Sequence, residues 1–247
     1  MKKRAIVSVV ASLALAGVMC VGLAACGGAN AKSIKGEEVT KEVWDAAFDF
    51  DNEVYQNFKL EIKEDAKSEM EFMGIKAKGS GTETKTYIYA EGLTYAKEKQ
   101  KMTVKGSVPD DMKALLSEEQ IKQLEEQLNQ KIDEEKEYYV DETDGAAKYI
   151  QKVDGAWKNV SSVGKSAMAA LKSECAQLPS KSFDQYTYDA AQKGYVAEAS
   201  GVTYVVKFKG DKLVAVYATS NVLGTSSTYN LVLSYGGQSV KLPAVAE

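Results

Sequence analysis

The chain has 247 residues, of which 45% are hydrophobic and 27% charged, proportions typical of a globular protein long enough to bury a core. Its formal net charge is −4, and a mildly acidic chain lacks the basic face that nucleic-acid binding requires. It contains no histidine, which excludes Ser-His-Asp and Cys-His catalytic pairs, histidine-ligated zinc and histidine general bases. We expect no nucleic-acid partner and no enzyme of these classes.

Residues 1–25 have the layout of a secretory signal peptide. Three cations at positions 2–4 precede an uncharged stretch from Ala5 to Gly22, and small residues close the segment. The uncharged stretch is about 20 residues long, enough to span a bilayer as an uncleaved helix. The small residues and the cysteine at its end favour a cleaved segment.

The four residues Leu23-Ala24-Ala25-Cys26 resemble the lipobox of bacterial lipoproteins. The resemblance implies cleavage after Ala25, diacylation of the Cys26 sulfur and a mature chain held at the extracytoplasmic face of the cell membrane. Cys20 is a weaker acceptor, because Met19 before it is larger than the usual pattern allows. Two acyl chains anchor a protein stably, whereas one binds only marginally.

Residues 26–38 begin with the lipidated cysteine and are otherwise small, polar and aperiodic, which predicts a flexible tether. We expect residues 39–247 to form one domain. Thr40 can cap its first helix, whose apolar face would carry Trp44 and Phe48 and pack on a sheet.

From Phe58 onward the hydrophobic period changes to two, which predicts about ten or eleven antiparallel strands. We expect turns at Gly79-Ser80-Gly81, Glu91-Gly92, Asp144-Gly145, Asp154-Gly155 and Gly210-Asp211. These strands are drawn from twelve strand-like segments, residues 58–62, 70–78, 82–90, 93–97, 102–104, 137–141, 146–153, 156–160, 202–208, 212–219, 228–233 and 239–242, while residues 186–199 are ambiguous.

Two further helices interrupt the strands. One runs from Ser117 to Lys136, with a capping box and an apolar stripe that ends at Ile132. We expect this helix to lie across the sheet, with a movable lid or a partner-binding helix as the alternatives. The other, residues 166–178, places Cys175 on its apolar face, where we expect a buried hydrophobe rather than a reactive thiol.

Short patterns give little support for catalysis or metal binding. Gly164-Lys165-Ser166 lacks the first glycine of a P-loop, since Asn159 occupies its position, and the Ser-x-x-Lys of residues 162–165 lacks its partner motifs. The acidic groups around Asp51 and Asp144 lack the glycine and glutamate of an EF-hand. We expect a helix cap and solvated turns at these places, with no cofactor and no metal.

The lipobox, the tether, the Trp-bearing helix and the strands with inserted helices together resemble the LolA/LolB/LppX-like superfamily of envelope lipoproteins. In that superfamily an aromatic-Gly pair, matched by Tyr235-Gly236, precedes a final strand that closes near a proline, matched by Val240, Leu242 and Pro243. The resemblance covers residues 39–243. It implies an α+β fold with a strongly curved antiparallel sheet, an incomplete barrel of about ten strands with a few helices packed on its concave side around an apolar cavity.

Two functions are consistent with these features. In the first, a membrane-anchored lipoprotein binds a hydrophobic or amphiphilic, lipid-like ligand in the half-barrel cavity. In the second, a ligand-free domain docks another envelope protein through the helix from Ser117 to Lys136 or the rim of the sheet. A large closed apolar pocket would favour the first function, and a filled core with an exposed apolar stripe would favour the second. In either case we expect a protein that is not an enzyme.

Overall fold

A computed structural model describes residues 35–72, 74–222 and 224–246. The predicted signal segment, Cys26 and most of the predicted tether lie outside these residues. The helices are α1 (Lys41–Ala47), α2 (Asp110–Lys113), α3 (Glu118–Leu128) and α4 (Ala167–Cys175), with 3-10 turns at Glu53–Gln56 and Phe183–Gln185. The strands are β1 (Asn57–Phe72), β2 (Ile75–Ala90), β3 (Leu93–Ser107), β4 (Lys131–Asp141), β5 (Lys148–Val153), β6 (Ala156–Val160), β7 (Thr187–Asp189), β8 (Gly194–Ala199), β9 (Val202–Lys209), β10 (Lys212–Val222) and β11 (Thr225–Tyr235).

The described strands form one antiparallel sheet in the order β6-β5-β4-β3-β2-β1-β11-β10-β9-β8-β7. The predicted α+β class is confirmed, and the curved sheet is not closed into a barrel. Pairing of β1 with β11, from Phe58 opposite Tyr235 to Ser68 opposite Thr225, joins the first and last strands at the centre of the sheet. The chain between edge strands β6 and β7 therefore passes from one edge to the other, and α4 within it packs against β2 and β3.

All three longer helices pack on one face of the sheet. We call this the inner face; it carries Phe58, Leu60 and Ile62 of β1, which join α1 and α4 in the main core. Leu124 and Leu128 of α3 pack with inward-facing residues near the start of β2 in a second cluster. The expectation that the helices cover one face of the curved sheet is confirmed, and we call the opposite face the outer face.

The predicted turn at Gly79-Ser80-Gly81 is wrong. These residues lie within β2, and the hairpin turns instead after Phe72, where Gly74 has a φ of 79°. Gly79 pairs with Ser68 and Val104, so three long strands run through this point without interruption. Glycine is tolerated inside a strand where neighbouring groups approach closely, and its presence alone does not define a turn.

The predicted helix from Ser117 to Lys136 is confirmed only as far as Leu128, because residues 131–141 form β4. The acidic and basic residues that resemble a solvated helix face instead make cross-strand ion pairs. Glu135 lies 2.7 Å from Lys97 and 3.0 Å from Lys99, and these two lysines lower the pKa of Glu135 to about 2. Because charge alternation is compatible with both a helix and an exposed strand, only the partner strand decides between them.

The predicted last strand, residues 239–242, is also wrong, since residues 237–246 have no regular secondary structure. The chain end is held by specific contacts instead. The Asn57 side-chain amide donates to the carbonyl of Gln238 and its oxygen accepts from the Gln238 N–H, both at 2.9 Å. The N–H of Ala246 donates to the carbonyl of Trp157 in edge strand β6 at 2.8 Å. The ambiguous residues 186–199 form β7 and β8.

Candidate functional site

A groove of about 540 Å³ crosses β11, β1, β2 and β3 at one level of the sheet. Its lining comes from three successive cross-strand rows: Thr228, Asp65, Thr82 and Lys101; Ser227, Ala66, Gly81 and Met102; and Ser226, Lys67, Ser80 and Thr103. A volume of this size is within the range of about 300–1,000 Å³ found for small-molecule sites.

The groove opens on the outer face. Successive residues of a strand point to opposite faces, so the row containing Ala66 points inward and the rows on either side of it point outward. Met102 and Ala66 are buried, at 2% and 6% exposure, whereas Lys67 and Lys101 are exposed. The outward-facing rows therefore form the walls, and the backbone of the middle row forms the floor. This position differs from the apolar cavity between sheet and helices that the superfamily resemblance implies.

The two walls differ in charge. In the first, which we call the paired row, each charge is matched: Asp65 lies 2.6 Å from Lys63 and accepts from the Thr82 hydroxyl at 2.8 Å, and Lys101 lies 2.9 Å from Asp133. The second wall, which we call the basic row, consists of Ser226, Lys67, Ser80 and Thr103 and continues to Lys131, which pairs with Thr103. The basic row contains no carboxylate.

A second, smaller cavity of about 110 Å³ touches β1, β2 and β3 from the inner face. Glu64 and Glu83 line it beside Gln100, and Lys85 lies 2.8 Å from Glu83. Burial raises the pKa of Glu64 to about 7, and the nearby Glu83 carboxylate is the second cause of this increase. The cavity therefore holds an acid that changes its charge near neutral pH.

We expect Glu64→Gln to remove a pH-dependent loss of stability. Because the pKa of Glu64 is raised in the folded state, the native protein binds more protons than the unfolded chain from about pH 4.5 to 7. The contribution of Glu64 to the free energy of unfolding therefore decreases as the pH rises through this interval. Because solvent reaches part of the side chain, we expect Glu64→Gln to gain ~1–2 kcal/mol at pH 8 and little at pH 4.5. Urea unfolding at both pH values measures this difference.

The control for this prediction is Glu61→Gln, which changes an exposed carboxylate on the outer face of the same strand. Its effect should be small, because an exposed pair such as Lys59 and Glu61 contributes ~0–1 kcal/mol. An equal pH response of the two variants would contradict the assignment to Glu64.

Tyrosine hydroxyls donate to two further carboxylates between the sheet and α4. Tyr87 and Tyr138 both donate to Glu98, at 2.7 and 2.9 Å, and Tyr229 donates to Glu174 of α4 at 2.9 Å. Burial raises the pKa of each of these tyrosines, so each remains a proton donor at neutral pH. This arrangement satisfies buried polar groups and joins α4 to the sheet.

Cys175 is buried in the main core at 1% exposure, and burial raises the pKa of its thiol to about 12. The prediction of a buried hydrophobe is confirmed. Ser166 caps α4 as predicted, because its hydroxyl accepts from the N–H of Ala169 at 3.4 Å. The ammonium of Lys165 donates to the Ser173 hydroxyl at 2.7 Å, so neither short motif assembles a nucleophile with a base in hydrogen-bond contact.

In each of the two predicted turns one aspartate binds its own backbone, while Asp51 pairs with Lys172 and Asp144 with Lys148. Asp49 accepts from the N–H of Asp51 at 3.2 Å, and Asp141 accepts from the N–H of Thr143 at 3.0 Å. Within residues 35–72, 74–222 and 224–246, no group of three or more His, Cys, Asp or Glu is arranged to hold a metal ion.

The predicted partner-binding helix has its apolar side covered. Leu124 and Leu128 of α3 are each 1% exposed, so the expectation that this segment lies across the sheet is confirmed for α3. Docking of an envelope protein here stays a prediction. In the described part of the chain, none of the helices has both the length and the apolar character needed to span a bilayer.

Sequence reasoning missed the groove entirely. Its wall residues are short polar side chains and ordinary surface lysines spread over four strands, from Asp65 to Thr228. The closely spaced small residues of Gly79-Ser80-Gly81 and Ser226-Ser227 are the available signal, but the first pattern also predicts a turn. Only the register of β1 between β2 and β11 brings them together.

These observations define an open antiparallel α+β sheet with a polar groove on its outer face. No protein-family model matches the chain, and no curated protein matches it. Among solved structures, the chain is similar to the crystal structure of a DUF1329 family protein from Desulfovibrio piger. The match has 13% identity, covers 81% of this chain and 94% of that chain, and has a TM-score of 0.20, which is too low to support a functional argument.

Proposed function

We propose that the protein is a membrane-anchored extracytoplasmic lipoprotein that binds an amphiphilic ligand through the ligand's polar part, in the groove on its outer face. The observation that carries this proposal is the open groove of about 540 Å³ with polar walls. The lipobox ending at Cys26 supports the anchor. A binding role is proposed rather than catalysis, because the groove walls present hydroxyls, lysines and the ion-paired Asp65, which suit contacts with a polar ligand.

The position of the anchor makes a membrane amphiphile a suitable ligand. The predicted tether of residues 26–38 is wrong at its end, because Gly36 is buried and the Glu37 N–H donates to the carbonyl of Phe208 at 3.0 Å. The remaining residues 26–35 span at most ~35 Å when extended, so the domain would stay close to the bilayer surface. The inner face is occupied by a core that includes Trp44, Phe58 and Phe208, all at 0% exposure. A ligand that contributes its polar part to the groove and keeps its apolar part in the membrane avoids displacing this core.

Filling the groove should abolish binding. Ser80 points outward in β2 at the centre of the basic row, so Ser80→Trp places a large side chain across the groove on a strand that accepts aromatic residues. We expect at least a tenfold loss of affinity for detergent-free membrane lipid extracts. The measurement is native mass spectrometry of the chain from Gly27, alone and after incubation with the extract.

The matched control is Thr86→Trp, which lies six residues away on the same face of the same strand, about 20 Å from Ser80. It should retain bound lipid mass like the parent chain. Parent protein that stays free of extra mass after incubation would rule out amphiphile binding, and cross-linking to envelope proteins at the cell surface would then test the interaction-module function.

A further inference from the structure

We infer that the groove recognises a phosphate-bearing anion, with Lys67 and Lys131 as the charged contacts and the hydroxyls between them as hydrogen-bond donors. This inference rests on the proposed function, since it specifies the polar part of the ligand that the groove would hold. The shared chemistry is a phosphate monoester or diester, whether it belongs to a lipid headgroup or to a soluble phosphate compound.

The basic row has the composition of an anion site. Lys67 pairs across the sheet with Ser80, Ser80 with Thr103, and Thr103 with Lys131, so two lysines flank two hydroxyls in one line. Ser226 extends the line beyond Lys67. Cross-strand partners share a face, so all five side chains point outward. The line contains five donors and no carboxylate that would repel an anion.

The two lysines differ from most outward-facing lysines of the neighbouring strands. Lys59, Lys63, Lys97, Lys99 and Lys101 each lie within 3.0 Å of a carboxylate. Within the described ranges neither Lys67 nor Lys131 has an ion-pair partner at this distance, and both are exposed. Lys67 and Lys131, unpaired among the described residues, therefore add positive charge to one wall of the groove, although Asp133 lies close enough to Lys131 for the lysine to help lower the pKa of that carboxylate, and the whole chain is acidic.

The spacing also fits one phosphate group. The Cα atoms of Lys67 and Lys131 are three strand spacings apart, ~14 Å, and both long side chains can lean inward over Ser80 and Thr103. The paired row lies two residues further along each strand, ~7 Å away, and closes the other side of the groove. Charge-assisted hydrogen bonds from lysine to phosphate are stronger than neutral ones.

The test compares charged and zwitterionic surfaces with one double variant. The chain from Gly27 is suitable, because every residue of the three hydrophobic clusters lies between Val39 and Tyr235. Its binding to phosphatidylglycerol vesicles and to phosphatidylcholine vesicles is measured by co-flotation, with glycerol 1-phosphate as the soluble competitor. The variant is Lys67→Gln with Lys131→Gln. The control is Lys122→Gln with Lys209→Gln, an equal charge change at exposed sites outside the groove.

We expect the parent chain to bind phosphatidylglycerol vesicles, with an affinity that decreases as the salt concentration rises. The affinity should fall about tenfold in the groove double variant and change by less than about twofold in the control. Competition by glycerol 1-phosphate would indicate that the phosphate itself is recognised in solution. If glycerol 1-phosphate does not compete, and the lysine double variant still weakens vesicle binding more than the control does, the site recognises phosphate headgroups in a bilayer. Equal loss in both double variants would overturn the inference, because net charge would then explain the binding.

The same experiment separates the inference from the proposed function. One outcome is equal binding to phosphatidylcholine and phosphatidylglycerol vesicles, which Ser80→Trp abolishes and the lysine double variant leaves unchanged. This outcome would support amphiphile binding and overturn phosphate recognition. Binding to neither vesicle, together with a clean mass after incubation with lipid extract, would overturn both.

Discussion

Replacing Trp44 by alanine is expected to lower the free energy of unfolding by about 4 kcal/mol, because it deletes the largest side chain of the main core. Trp44 is 0% exposed and connects α1 to two distant parts of the chain. Its ring lies 4.8 Å from that of Tyr186 and 5.2 Å from that of Phe208, measured between centroids. Its indole N–H donates to the carbonyl of Lys181 at 2.7 Å.

The expected loss combines a cavity with an unpaired carbonyl. A short helix such as α1, of seven residues, has little stability of its own and depends on the packing of its apolar face. Trp44→Phe retains an aromatic side chain but leaves the Lys181 carbonyl without its donor, so we expect a smaller loss of about 2 kcal/mol. Urea unfolding of both variants measures the difference. A loss below 1 kcal/mol for Trp44→Ala would show that α1 does not stabilise the sheet.

Gly164→Ala is expected to destabilise the protein by about 3 kcal/mol, although the change adds only one methyl group. A Cβ at this position would overlap the hydroxyl and ring of Tyr138. Tyr138 has little freedom to move, since it is 0% exposed and its hydroxyl also bonds to Glu98 at 2.9 Å and to the carbonyl of Lys165 at 3.0 Å. The connection from β6 to α4 would therefore have to shift.

Lys165→Ala is the matched control in the same segment. The exposed ammonium of Lys165 donates to the Ser173 hydroxyl, so we expect a change of about 0.5 kcal/mol or less. Thermal unfolding of the two variants distinguishes a packing role of the segment from a chemical one. A larger loss for Lys165→Ala than for Gly164→Ala would contradict the packing role and favour a chemical role of the Ser-x-x-Lys residues 162–165.

The sequence predicted those features that depend on a few adjacent residues. Glu91-Gly92 and Asp154-Gly155 form the hairpin turns expected of them, with positive φ at both residues of each pair. The Ser117 capping box is present, with both reciprocal contacts. These signals are reliable because the steric freedom of glycine and the reach of a capping side chain act within one turn of the chain.

The errors occurred where two local patterns were equally compatible with one segment. Residues 131–136 carry charges that suit an exposed helix or an exposed strand, and Lys97, Lys99 and Lys101 on the adjacent strand favour the strand. Gly79 and Gly81 are compatible with a turn or with the interior of a crowded strand. Because β1 and β3 pair with β2 on both sides, the glycines lie in a strand interior. In each case the deciding group lies on another strand.

Local sequence patterns were enough to predict the antiparallel α+β class and the burial of Cys175 within a helix, which are confirmed, and the lipobox ending at Cys26, which stays a prediction. The pairing of β1 with β11 and the groove that crosses four strands on the outer face become visible only in the folded sheet. The physical reason is that alternation fixes which residues share a face of one strand, whereas register fixes which strands bring their faces together. Lys67 and Lys131 are far apart in the chain, and only the intervening cross-strand pairs place them in one row.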